Sequence, residues 1–60
     1  MIKVKNIVKN CDVYIVEDKI TSVSFYDYDC SFVCLVDGTS HRIPVEDAKR
    51  IIRELEKRGN

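Results

Sequence analysis

Apolar and polar positions alternate through the first two thirds of this chain and then change to a helical repeat. Ile2, Val4 and Val8 alternate with Lys3, Lys5 and Lys9, interrupted by Asn6 and Ile7. That pattern predicts a strand over residues 2–9 with one apolar and one basic face. Asn10-Cys11-Asp12 reads as a turn. The run Val13-Tyr14-Ile15-Val16 is β-branched and aromatic and predicts a second strand over 13–17. Glu17-Asp18-Lys19 forms a short polar connection to a third strand over 20–27, where Val23 and Phe25 oppose Ser22, Ser24 and Tyr26. Residues 31–37 are apolar on both faces, with Phe32, Cys34 and Val36 opposite Val33 and Leu35, the mark of a central strand. Asp37-Gly38 signals a two-residue hairpin, with a returning strand over 39–43 that Pro44 ends.

The period then lengthens. Ala48, Ile51, Ile52 and Leu55 fall at the i, i+3, i+4, i+7 spacing of one buried stripe, predicting a helix over 45–58. Glu46 and Asp47 in its first turn and Lys57 and Arg58 in its last complement the helix dipole, and Gly59 supplies a stop. Glu46 with Arg50 and Glu54 with Arg58 have the i, i+4 spacing of favourable pairs. The fold class expected is α+β: an antiparallel four- to five-stranded β-meander followed by one C-terminal amphipathic helix, forming a single domain over residues 1–60.

One helix of this length covers one face of such a sheet. The other face would leave Tyr14, Val16 and one side of the fourth strand in water, which monomers rarely do over a wide area. The expected partner is therefore the protein itself, as a dimer or tetramer. The alternative is a sheet coiled strongly enough to cover itself as a small barrel.

Composition narrows the class. A chain of 60 residues with 45% hydrophobic and 33% charged positions is globular rather than disordered, but its core is small. No stretch approaches the roughly 18 apolar residues of a membrane span, and the start lacks the apolar run of a signal peptide. A cytoplasmic address without membrane partners is the expectation. Three cysteines cannot close a disulfide framework among themselves. Ten basic residues balance ten acidic ones, so bulk charge does not drive nucleic-acid binding. The distribution is uneven: residues 1–10 carry three lysines, residues 11–37 six acids against Lys19, and residues 38–60 six bases against four acids.

Few constellations carry chemistry. Cys11, Cys30, Cys34 and His41 are zinc-ligand types, but they lack the paired close spacing of a zinc knuckle, so no metal site is assigned. Asp27-Tyr28-Asp29-Cys30-Ser31 starts like a calcium loop, yet Phe32 and Gly38 stand where Gly and Glu are needed. His41, the one histidine, sits on a strand in a structural rather than catalytic setting. Asp12 and Asp18 flank turns, where carboxylates can gather around Mg²⁺ or simply be solvated. They are the catalytic candidates, with Mg²⁺ as cofactor only if the protein nicks DNA. Lys3, Lys5, Lys9 and Lys19 with Tyr14 and Tyr26 form a candidate nucleic-acid surface, since basic side chains track a backbone and rings stack on bases. The same lysines also serve to keep an edge strand soluble. Tyr28 and Asp29 at an acidic tip, and Arg50 and Arg53 on the helix, are the candidates for binding a protein partner.

The order of elements over residues 2–58, a meander followed by one helix, resembles the positive-cofactor-four fold, which also occurs in small phage anti-CRISPR proteins. The resemblance is topological and carries no residue role across. It implies a homo-oligomeric accessory protein of phage or mobile-element type, acting in a bacterial host against its defence by binding or nicking DNA. The other reading is a non-enzymatic module that binds a host protein, such as a DNA-binding nuclease, directly.

Overall fold

The computed structural model describes residues 1–58. The chain runs through β1 (Ile2–Asn6), β2 (Cys11–Ile15), a 3₁₀ turn (Glu17–Lys19), β3 (Ile20–Asp27), β4 (Cys30–Leu35), β5 (Ser40–Ile43) and α1 (Val45–Arg58). The class is α+β with antiparallel sheets and a C-terminal helix, and the bounds of β3 and α1 are those the apolar pattern predicts. Gly59, expected to end the helix, lies outside the described residues.

The single meander divides in two. β1 and β2 form one hairpin, and β3, β4 and β5 form a separate sheet in that order. The break falls at the polar connection between β2 and β3. There Lys19 N–H donates to the Val16 carbonyl at 3.0 Å, closing the 3₁₀ turn, while the Lys19 carbonyl accepts Val36 N–H at 2.8 Å. The connection is thus tied to the β4–β5 loop and carries β3 away from β2.

The first hairpin is also shorter than the alternation of residues 2–9 implies. Asn6 Oδ1 accepts Lys9 N–H at 2.8 Å and folds the chain back, so Ile7, Val8 and Lys9 lie in the loop. Asn10 completes that loop at φ 55°, a left-handed conformation that asparagine tolerates better than most residues. Cys11 and Asp12, expected in a turn, are instead the first residues of β2, where Cys11 faces Asn6 and Asp12 faces Lys5.

The second hairpin differs from the two-residue form. Gly38 N–H donates to the Leu35 carbonyl at 3.0 Å and Leu35 N–H to the Thr39 carbonyl at 2.9 Å, enclosing Val36, Asp37 and Gly38. Gly38 adopts φ 90°, which ends the turn with the positive φ that this hairpin type requires.

Both sheets and the helix contribute to one core. Ile2, Val4 and Ile15 come from the first hairpin, Val33 and Ile43 from the second sheet, and Ala48 and Ile51 from α1. Val13, Ile20, Val23, Leu35 and Leu55 pack around them. In the three-stranded sheet, register sets Val23, Val33 and His41 in one row on the core side and Phe25, Ser31 and Ile43 in the next, with Phe25 at the sheet edge still half exposed. The outward rows are Ser22, Cys34, Ser40 and Ser24, Phe32, Arg42. The outer side of β4 is less bare than a doubly apolar strand implies. Tyr26 meets Phe32 edge to face at 5.8 Å, and Arg42 Nε donates to Cys30 Sγ at 2.9 Å.

The free edge of β1 is closed by side chains of α1. Asp47 Oδ2 accepts Lys5 N–H at 2.9 Å, and Arg50 donates to the Lys3 carbonyl while pairing with Asp47 at 3.0 Å. Ile7 N–H then reaches the Arg42 carbonyl at 2.9 Å, linking the hairpin to β5. The helix pairs expected at i, i+4 are replaced. Arg50 turns to Asp47, Glu54 meets Lys57 at 3.9 Å, and Arg58 leaves the helix for Glu17 at 3.2 Å and Asp18 at 2.8 Å.

Candidate binding groove

β2 ends where the chain turns into the 3₁₀ segment, and the Lys19–Val36 hydrogen bond brings the β4–β5 loop alongside. Between them opens a groove of about 440 Å³. Val13, Ile15 and Leu35 form its apolar base, continuous with the core. Tyr14, Val16 and Val36 stand around it with 64%, 47% and 59% of their surface open to solvent. Three polar residues, Lys19, Asp37 and His41, complete the lining.

Each polar group is held by the local backbone. Asp37 Oδ1 accepts both the backbone N–H of Thr39 at 3.0 Å and its hydroxyl at 2.6 Å. Those hydrogen bonds hold the Asp37 carboxyl below the usual aspartate range. Lys19 is fixed by its two backbone hydrogen bonds, and its ammonium forms no ion pair among the described residues.

His41 is set by a longer relay. A backbone N–H can only donate, so the Asn6 atom that faces Lys9 N–H is its oxygen. The amide nitrogen of Asn6 then faces His41 Nδ1 at 3.0 Å. Nδ1 must accept, and the neutral ring carries its proton on Nε2. Asn6, itself only 4% exposed, thereby orients the imidazole at the groove.

The sequence-derived site residues are spread over several surfaces. Lys3, Lys5, Asp12 and Tyr14 share the outer face of the first hairpin, where Lys3 lies opposite Tyr14 and Lys5 opposite Asp12. Lys3 Nζ is paired with Asp12 at 3.6 Å. Lys9 is in the exposed hairpin loop, Lys19 is at the groove, and Tyr26 stands on β3, an edge strand of the other sheet. Asp12 and Asp18 are engaged by different cations, Lys3 and Arg58, on different elements. Among the described residues, no three His, Cys, Asp or Glu side chains are grouped to hold a metal ion.

The protein-binding candidates also separate. Tyr28, 90% exposed, and Asp29 border a depression with Pro44, Val45, Glu46 and Lys49 at the start of α1. Arg50 is committed to β1 and Arg53 lies exposed further along the helix. Tyr14, Val16 and the fourth strand that carries Val36 are recognisable as uncovered from the sequence, whereas Asn6 and His41 are not. The Asn6–His41 contact spans 35 positions and has no periodic signature.

The cysteines are free: Cys11 exposed, Cys34 half-buried and Cys30 buried against Arg42. That contact, through its hydrogen bond, raises the Arg42 guanidinium further above its already high value. No helix among the described residues is long and apolar enough to cross a membrane. No protein-family description matches the chain, and no curated protein or solved structure is found to be similar to it.

Proposed function

We propose that this protein acts by binding, as a small non-enzymatic module that takes an apolar peptide segment of a partner protein into the groove beside β2. The observation that carries this reading is the cluster of Tyr14, Val16 and Val36, three large side chains exposed together around an apolar base. Large apolar side chains gathered at one concave site, with few polar groups, are the usual composition of a recognition surface.

A peptide library selected on the immobilised protein tests the reading. Sequences with an apolar core should be enriched and should lose at least tenfold in affinity against Val36→Asp. Failure to enrich any sequence, or equal binding by Val36→Asp, would overturn it.

A second reading, DNA binding through the first hairpin, is favoured by one arrangement: Lys3, Lys5 and Tyr14 lie on the same strand face. Its weakness is Asp12, which neutralises Lys3. Asp12→Asn would release that lysine, so a DNA-binding hairpin should hold supercoiled plasmid more tightly in this variant and lose it steeply with salt. If the protein nicks plasmid with Mg²⁺, Asp12→Ala and Asp18→Ala should abolish that activity while leaving the fold intact.

A further inference from the structure

We infer that the groove selects the free C-terminal carboxylate of an apolar peptide, received by His41 Nε2–H and the Lys19 ammonium. This rests on the groove being a peptide site, and it adds which end of the peptide the site reads.

The groove holds donors that the fold leaves without acceptors. The relay from Lys9 N–H through Asn6 makes His41 Nδ1 the acceptor and so places the N–H of the ring at Nε2. The His41 ring makes no hydrogen bond among the described residues other than the one to Asn6. Lys19 stands in the same lining, without an ion pair there. The one acid in the groove, Asp37, has its Oδ1 occupied by both donors of Thr39. The groove therefore offers one fixed N–H and one cation beside an apolar base. The complementary ligand is an apolar side chain next to a carboxylate, and hydrogen bonds to a charged acceptor are the stronger kind. A chain terminus supplies that pairing from the backbone itself, whereas the backbone of an internal segment presents only neutral carbonyls.

Two measurements test this on the intact protein. The first reads the imidazole nitrogens of His41 by NMR near neutral pH, which needs no variant. The Nε2–H form is expected, and an Nδ1–H ring would overturn the inference. The second titrates an N-acetylated tripeptide ending in leucine, as the free acid and as the carboxamide, following the amides of Lys19, Val36 and His41. The acid should bind at least tenfold more tightly than the amide. Lys19→Met should bring it close to the amide's affinity, and Asp37→Asn should strengthen it. Equal binding of acid and amide, with both lost in Val36→Asp, would remove the carboxylate inference and leave the peptide groove standing. Binding of neither, while the library still yields internal sequences sensitive to Val36→Asp, would have the same effect. Loss of every Val36-dependent binder would remove both.

Discussion

Asp47 in the first turn of α1 accepts the backbone N–H of Lys5 in β1 at 2.9 Å, so a helix side chain takes the place of a neighbouring strand. The other oxygen of the same carboxylate holds Arg50, which donates to the Lys3 carbonyl two residues along. A strand edge exposes alternating donors and acceptors, and here an acid and a base one helical turn apart match that alternation.

Asp47→Ala should accordingly cost about 1 kcal/mol, the usual net worth of such a hydrogen bond, by removing the Lys5 acceptor and loosening Arg50. Asp47→Asn keeps an acceptor and should lose less. Lys49→Ala, an exposed change on the same helix, should stay within about 0.5 kcal/mol of the parent. Urea denaturation followed by circular dichroism separates the three.

Ser31 presents the opposite case. It is fully buried in β4 between Phe25 and Ile43, and its hydroxyl finds no hydrogen-bond partner among the described residues. Burying an unpaired hydroxyl costs about 1–3 kcal/mol in proteins. Ser31→Ala should therefore stabilise the fold by about 1 kcal/mol, read as a raised urea midpoint with unchanged slope. A destabilised variant would mean that the hydroxyl has a partner in solution.

Asp37 gives the pH dependence a sign. Its carboxyl is held below its ordinary value by the Thr39 hydroxyl and backbone N–H, so the unfolded chain binds its proton more readily than the folded one. The stabilisation is complete above the ordinary aspartate pKa of about 3.9 and is lost as pH falls below it, through the folded-state value. Thr39→Val removes the hydroxyl, and the loss of stability across that acid window should become shallower. Thermal unfolding of the two proteins between pH 2.5 and 6 provides the comparison, with parallel curves counting against the role given to Thr39.

Cys11 is the one exposed thiol among the described residues. Without reductant, a disulfide-linked dimer through Cys11 should accumulate, visible on a non-reducing gel and absent from Cys11→Ser. Cys30, buried against Arg42, should remain unmodified by a thiol reagent under native conditions.

How much of this was legible in the sequence depended on the range of the forces involved. The helix and β3 were readable to the residue because an apolar period and Pro44 are local signals. The end of β1 was not, because Val8 and Lys9 continue the alternation while the Asn6 side chain folds the backbone first. Nor was the split into two sheets, which follows from the tie between Lys19 and Val36 across 17 positions. Tyr14 and Val16 could be recognised as uncovered from one strand alone. The groove also needed Val36 and His41, which only the folded chain brings alongside. The lysine–aromatic grouping failed to assemble for a related reason: Tyr26 and Tyr14 fall on different sheets once β2 and β3 part.

The irregular pairing of β3 has a consequence for crowded solutions. At eight residues β3 is the longest strand described, and its outer side is unpaired, the geometry from which chains grow into filaments. Its register slips between Ile20 and Ser22 and again between Phe25 and Asp27, leaving residues 22–25 as the stretch in regular pairing. Each slip bends and twists the strand, so an incoming chain could match only a few residues before losing alignment. Deleting Thr21 removes the first of the two slips, and that version should fold less faithfully and seed fibres more readily, because what looks like imperfect pairing within one molecule interrupts pairing between many.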